Sequence, residues 1–378
     1  LKQFAQELQD ISWLAFDTEF IGEKRYYTLL CLIQVKCELG TYLIDPLKVE
    51  DLSPFLALIE NPSIIKITHA GDNDYRLLNI LYSTVPKNIF DTQIAAGFIG
   101  YRYPMSFGKL VEAETGRRLG KAYAVTDWEQ RPIKDSQLKY ALEDVLYLKE
   151  LYDSILAKLT AKDRANWAWE ECGQMTEPEY YERDPYHEAL NSRLLQSSRT
   201  RDRVFLLRLY EWRRAEAEQK NYSKEMILPS KVIGQLTKSV RSGREALLDN
   251  RRLPTKTVKR FGDYFLQLYG EPATEEEKAV LKRVPKYEQE DDQADLLLEL
   301  LYLLMKYRCQ EEEVSHQLVM PRNAIKKMKN DEKFRKSLLG SGWRRELLGE
   351  QFIEWLKHFD SLALRIEGGS IELALPSV

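Results

Sequence analysis

The stretch WLAFDTEF, residues 13–20, decides how the chain is read. Trp13, Leu14, Ala15 and Phe16 are apolar and predict a buried strand. Two carboxylates follow, Asp17 and Glu19. Side chains two apart on a strand share a face, so this strand sets two negative charges side by side near its C-terminal end. Such charges repel unless something positive lies between them. Working outward, LLCLIQVKC (29–37) and GTYLIDP (40–46) are short, apolar and separated by turns, which predicts neighbouring strands. SPFLALIENP (53–62) has helical spacing, SIIKITHA (63–70) is a further buried strand, and GDNDYRLLNILYS (71–83) is an amphipathic helix. Three strands, then helix, strand and helix, predict a mixed sheet covered by helices.

Two further segments bear on the pair of acids. In THAGDNDYRLL (68–78) a strand gives way to a helix, with Asp72 and Asp74 at the junction. Helix capping accounts for an aspartate there; one can cap while the other faces a site. In KYALEDVLYL (139–148), Tyr140 and Asp144 lie four apart and share a helix face. Alone, that pair reads as a half-buried tyrosine and a solvated acid. It gains weight because the other acids precede it. Asp91, in FDTQIAAG, is read as a helix N-cap and stays outside the set. Asp17, Glu19, Asp74 and Asp144 together offer only oxygen ligands, the preference of magnesium and manganese. Two such ions about 4 Å apart clamp a phosphodiester during in-line displacement. Tyr140, one turn from Asp144, is placed to hold an attacking water.

The bulk numbers bound the rest. At 378 residues the chain has room for two or three domains. Its 44% hydrophobic and 30% charged content describes ordinary cores and surfaces. No apolar run approaches the roughly 20 residues of a membrane span, and LKQFAQELQD does not read as a secretory leader. The four cysteines form no Cys-x-x-Cys pair, which predicts buried thiols in a reducing compartment and no zinc site. The net charge of −3 hides a basic block: residues 193–262 hold 18 Lys and Arg against 7 Asp and Glu. Such a patch suits a phosphate backbone. EPATEEEKAVLKRVPKYEQEDDQAD (271–295) reads as a charged linker. A second helical unit is expected from LLLELLYLLMKYRCQEEEV (296–314) to QFIEWLKHF (351–359), then a hairpin turning at Gly368 and Gly369.

FDTEF (16–20), HAGDND (69–74) and YALED (140–144) resemble, in order and spacing, the three exonuclease motifs of the DEDD superfamily. The tyrosine four before the last aspartate marks the DEDDy branch, and within it the chain is similar to the ribonuclease D family. RYYTLLCLIQV, FDTQIAAGFIGY and TDWEQRPIKDSQLKYALEDVLYL support the likeness across residues 1–160. LLRLYEWRRAEAEQKNYSKEMILPSKVIGQLTK (206–238) resembles the helicase-and-RNase-D C-terminal domain, HRDC. GSGWRRELLGEQFIEWL (340–356) resembles more loosely the close of a second HRDC-like unit.

The resemblance implies an α/β, ribonuclease H-like mixed sheet with flanking helices, followed by two small all-α HRDC-type domains. The expected boundaries are an exonuclease domain at 1–160, a helical connector at 161–192, HRDC domain 1 at 193–273, a linker at 274–289, an HRDC-like domain 2 at 290–362 and a tail at 363–378. It implies a cytoplasmic, monomeric 3′–5′ exoribonuclease with two Mg2+ or Mn2+ ions per site, trimming tRNA precursors or other structured RNA, with no membrane partner. Asp17, Glu19, Asp74 and Asp144 are the expected metal ligands and Tyr140 the catalytic tyrosine. Phe20, His69, Gln34 and Lys121 are expected substrate contacts, although core packing for Phe20, a structural hydrogen bond for His69 and a solvated surface for Lys121 explain those residues as well. Asp72 and Thr28 depart from the family pattern, and Asp72 either competes with Asp74 for metal or caps the helix. A 3′–5′ DNA exonuclease and a non-catalytic RNA-binding protein are the competing functions.

Overall fold

A computed structural model of the chain describes residues 1–8, 10–120, 127–284, 292–325, 334, 340–357, 363–367 and 370–374. It divides into two units. One comprises residues 1–19, 31–181 and 291–378, the other residues 20–30 and 182–290.

The first unit is built on five strands: β1 (Trp13–Ile21), β2 (Leu29–Cys37), β3 (Gly40–Ile44), β4 (Ile65–Thr68) and β5 (Ile89–Asp91). Their order is β3-β2-β1-β4-β5. β2 and β3 pair antiparallel, whereas β4 runs parallel to both β1 and β5. The expected mixed sheet is therefore present. Pairing of β1 with β4 covers Trp13–Ala15 opposite Ile65–Ile67. Asp17 and Glu19 thus lie past that paired stretch, at the carboxyl end of a parallel pair, where open α/β sheets take their ligands.

Helices α1 (Lys2–Glu7), α2 (Ser53–Glu60), α3 (Asp72–Tyr82), α4 (Thr92–Gly97), α5 (Phe107–Thr115), α6 (Asp135–Leu146), α7 (Leu148–Ala161) and α8 (Ala165–Gly173) follow the strands. On one side of the sheet, the ring of Phe16 meets Phe55 and Tyr75 edge-on. On the other, Ala15, Ile67 and Phe90 pack into a core with Val145, Leu148 and Leu151.

That second core does not end with the sheet's own helices. It continues through Met305, Leu318, Trp343, Leu347 and Phe352, which come from the C-terminal helices Asp292–Glu311 and Trp343–Lys357 and the short helix His316–Val319. Trp343 is wholly buried, edge-on to Phe98 at 4.7 Å, and its indole N–H donates to Glu171 Oε2 at 2.8 Å. Arg344 grips both oxygens of Glu171 at 2.8 and 2.9 Å, and Arg164 donates to Glu312 at 2.7 Å. Gly342 sits in the left-handed region at φ +74°, and any β-carbon there would strike the Glu170 carboxylate. The described residues of 290–362, expected as an HRDC-like second domain, share their core with the sheet of the first unit. Ala363–Glu367 and Ser370–Ala374 pair antiparallel; the turn residues Gly368 and Gly369 lie outside the described set.

The second unit contains α9 (His187–Leu190), α10 (Arg193–Ser197), α11 (Thr200–Lys220), α12 (Lys224–Ile227), α13 (Ser230–Ser242), α14 (Arg244–Leu248), α15 (Thr255–Gly270) and α16 (Glu275–Leu281). Phe205, Leu206, Trp212, Ile233 and Phe265 form its centre. Part of the stretch expected as a linker is helical: the Thr274 hydroxyl caps α16, and Glu277 pairs with the buried Arg208. The expected connector divides too, residues up to 181 joining the first unit and the rest the second.

The loop between β1 and β2 belongs to the second unit. Tyr27 N donates to Asn221 Oδ1 at 2.9 Å, its phenol donates to Glu218, and Ser223 N donates to Lys24 O at 3.0 Å. All four cysteines are buried. Among the described residues no helix is long and apolar enough to cross a membrane.

Candidate active site

Alternation along β1 points Asp17 and Glu19 to the face that carries Trp13 and Ala15, the face packed by α6 and α7. Asp144, on α6, meets them there. One carboxylate oxygen from each of Asp17, Glu19 and Asp144 lies within 4.8 Å of the others. α6 is held at both ends. Lys134 N donates to Gln137 Oε1 at 3.0 Å at its start, and Lys36 Nζ donates to the Leu146 carbonyl at its finish. The preceding segment is tied to the sheet by Arg131, which takes both oxygens of Asp45 at 2.8 Å and the Cys31 carbonyl. Trp128 from that segment is buried against the Tyr140 ring.

Asp74 stands in the first turn of α3 and is buried. The Thr18 hydroxyl donates to its carboxylate. Thr18 lies between the two β1 acids in sequence and points to the opposite face, a contact that strand alternation alone did not mark. Gly71 makes the junction possible. A β-carbon there would stand 2.5 Å from Thr68 Oγ1. Asp91 caps α4 through Gln93 N and Ile94 N, and the same carboxylate accepts from Ala70 N and Gly71 N. It is a scaffold residue that pins the β4–α3 junction, as its place outside the metal set requires. Asp72 is engaged elsewhere. Arg76 bonds it at 2.9 Å, the Tyr180 phenol donates to it at 2.7 Å, and the Arg76 guanidinium lies over the Tyr180 ring.

The four acids repel. Burial, and then the charges of Asp74, Asp144 and Glu19, push the Asp17 carboxyl well above its ordinary value. Burial with Asp144 and Asp74 pushes Glu19 up to about 8. Burial raises Asp74 to about 7 against the Thr18 hydrogen bond, and Asp144 to about 6 against that of Tyr140. Burial and the neighbouring acids also raise the Tyr140 phenol, so it keeps its proton. A nest of oxygens that cannot all ionise alone, with no nitrogen or sulfur ligand, fits hard divalent cations.

The remaining sequence candidates fall out differently. His69 is fully committed to the fold. Its Nε2 meets the Met105 carbonyl at 2.9 Å, which can only accept, so Nε2 carries the proton. Nδ1 faces the Thr92 hydroxyl at 3.0 Å, and burial lowers the ring's pKa and keeps it neutral. Gln34 is completely buried in β2, and a side chain with no exposed surface does not touch substrate; that expectation is corrected. Phe20 is exposed at 39%. Lys121 lies outside the described residues. Sequence reasoning passed over a cavity of about 480 Å³ beside Tyr140 and Asp144, lined also by Phe107, Lys109 and Arg118. Nothing in the spacing of α5 or of the segment after it marks those side chains for it.

Comparisons with known proteins agree with this geometry. A family model described as 3′-5′ exonuclease matches residues 1–160, and one described as HRDC domain matches 202–269. The chain is 30% identical over 377 residues to the Ribonuclease D of Sphingobium indicum, covering 99% of this chain and 96% of that protein. Against the Ribonuclease D of Bartonella henselae it is 29% identical over 352 residues, covering 93% and 86%. Its fold is similar to the crystal structure of Escherichia coli RNase D, described as an exoribonuclease involved in structured RNA processing. The TM-score is 0.79 at 26% identity, covering 95% of this chain and 96% of that one.

Proposed function

The chain belongs to the ribonuclease D family, and on that premise we propose that it is a 3′–5′ exoribonuclease that hydrolyses terminal phosphodiesters of tRNA precursors. The observation that carries the mechanism is the meeting of Asp17, Glu19 and Asp144 within 4.8 Å, with Asp74 near enough to raise Asp17.

Asp17, Glu19, Asp74 and Asp144 would hold two Mg2+ or Mn2+ ions. Bound there, such ions supply a more acidic water and neutralise charge on the leaving oxygen. The protein's own groups do the positioning. The Tyr140 phenol bonds Asp144 and stays protonated, so its oxygen can accept from the attacking water and aim it. Water adds to phosphorus, the bond to the 3′ oxygen breaks, that oxygen takes a proton, and a nucleoside 5′-monophosphate leaves. The exposed Phe20 ring offers a stacking surface for a terminal base. The cavity beside Tyr140 has the size of a ligand pocket.

In the second unit, six of the basic residues between 193 and 262 are tied into ion pairs: Arg208, Arg213, Lys220, Lys224, Arg241 and Arg244. Arg251, Arg252, Lys256 and Lys259 are exposed around the start of α15, and we assign them to the RNA backbone. A time course on 5′-labelled tRNA precursor, with and without Mn2+, tests the proposal. A ladder shortening from the 3′ end only with metal supports it. Internal cuts, faster decay of a matched DNA strand, or unchanged decay by an Asp17→Ala variant refutes it.

A further inference from the structure

The loop between β1 and β2 joins the helical unit and, with Arg183, adds to residues of the 193–262 block an aromatic and basic patch that the block alone does not hold. Tyr27 is fixed at both ends, its backbone N–H on Asn221 and its phenol on Glu218. Tyr26 backs it edge-on, with ring centres 4.9 Å apart. Tyr222 stands between Asn221 and Ser223, two of the residues that bind the loop, and is 49% exposed; Tyr27 is 38% exposed. Arg214 and Arg183 both lie close enough to act electrostatically on the Tyr26 hydroxyl. Neither is in an ion pair among the described residues.

Stability does not call for this arrangement. Tyr27 and Tyr222 leave 38% and 49% of their surface in solvent, and neither guanidinium group is closed into an ion pair among the described residues. Aromatic rings beside cations are what a single strand asks of a protein: bases stack on the rings and phosphates meet the charges. A ring already locked in place loses little freedom when a base lands on it. Paired bases have no free face to offer, so the ligand is unpaired RNA rather than duplex.

We propose that Tyr27 and Tyr222, with Arg183 and Arg214, form a platform for a single-stranded segment of the RNA, built from residues none of which is a metal ligand or the catalytic tyrosine. The choice of RNA rests on the function proposed above; the platform itself does not, because binding can be measured in EDTA, where no hydrolysis is needed. The full chain is titrated with unstructured RNAs of three and of about 20 nucleotides, a length exceeding the span of one single-strand site. The wild type binds the longer RNA more tightly. Tyr222→Ala weakens that binding on the order of tenfold, as does Tyr27→Ala, the scale of one lost stacking base. Arg183→Gln with Arg214→Gln lowers the slope of log affinity against log salt by about 1.4, from about 0.7 per cation for single strands. Tyr27→Phe keeps the ring, serves as the control for a disturbed loop, and stays near wild type. Equal loss for short and long RNA, no loss in any tyrosine variant, or a loss confined to single-stranded DNA overturns the platform. If the tyrosines matter for long RNA yet no nuclease activity is found, the platform stands and the function proposed above falls.

Discussion

Trp343→Ala tests whether the C-terminal helices belong to the catalytic unit. The indole is wholly buried, meets Phe98 at 4.7 Å and Trp167 at 6.3 Å, and donates to Glu171. Deleting a buried tryptophan costs about 3–5 kcal/mol, since the site collapses only in part. Glu171 keeps its two bonds from Arg344, so no bare buried charge is added to that cost. At about 2–4 °C per kcal/mol for a unit of this size, the midpoint should fall by roughly 6–20 °C. The assay is a thermal melt followed in parallel by exonuclease activity remaining after each temperature step. Because Trp343 shares a core with Ala15 and Val145, activity should be lost in the same transition. If the variant unfolds only a C-terminal fragment while activity survives to the wild-type temperature, the single-core account is wrong. The same logic revises what truncation near residue 190 would do. Judged by sequence, such a cut removes only accessory domains; given Trp343, it strips one side of the catalytic core and should inactivate the enzyme on short and long RNA alike.

Other predictions concern the acids and their supports. Asp144→Ala should abolish hydrolysis and leave RNA binding in EDTA intact. Tyr140→Phe should lower turnover about 100-fold, within the range for a group that handles protons or water, with little change in RNA affinity; equal losses in both would remove its assigned role. Glu19, Asp74 and Asp144 have folded pKa values near 8, 7 and 6, above the roughly 4 of the unfolded chain. Between those values the folded state binds more protons than the unfolded one, so metal-free stability should fall as pH rises from about 4 to 8. Mg2+ should flatten that slope; a higher melting temperature at pH 8 than at pH 5 in EDTA would contradict the clustering. Gly71→Ala should cost about 1–3 kcal/mol through its clash with Thr68 and cut activity further by shifting Asp74, which a denaturant titration and a rate measurement separate.

Much of this was legible from residues alone. Asp17 and Glu19 announce themselves because a strand places every second side chain on one face, and Tyr140 with Asp144 because a helix does the same every fourth. A mixed sheet covered by helices followed from short apolar runs and their turns; the strand order did not. What was not legible depends on contacts distant in the chain. Trp343 and Glu171 are 172 positions apart, and no local periodicity says which surface a helix will cover. The run LLLELLYLLMKY did carry a hint, being apolar on nearly every side, as helices packed against more than one neighbour are. The loop at 22–28 reads as an ordinary strand connection, since the hydrogen bonds that place it come from residues near 220. Gln34 misled for a different reason: it is carried over from the family resemblance, and a matching position gives no measure of burial.

Asp91 has an implication for anyone mapping the enzyme by substitution. Its carboxylate gathers four main-chain amides, two from the first turn of α4 and two from the β4–α3 loop, so replacing it would release the peptide leading into the helix that bears Asp74. The resulting loss of turnover would look like that of a missing ligand, and an alanine scan scored on rate alone would enrol a fifth acid in the metal centre. Metal titration tells the two apart. Excess Mn2+ should leave an Asp91 variant crippled, because what it lacks is a joint and not a charge.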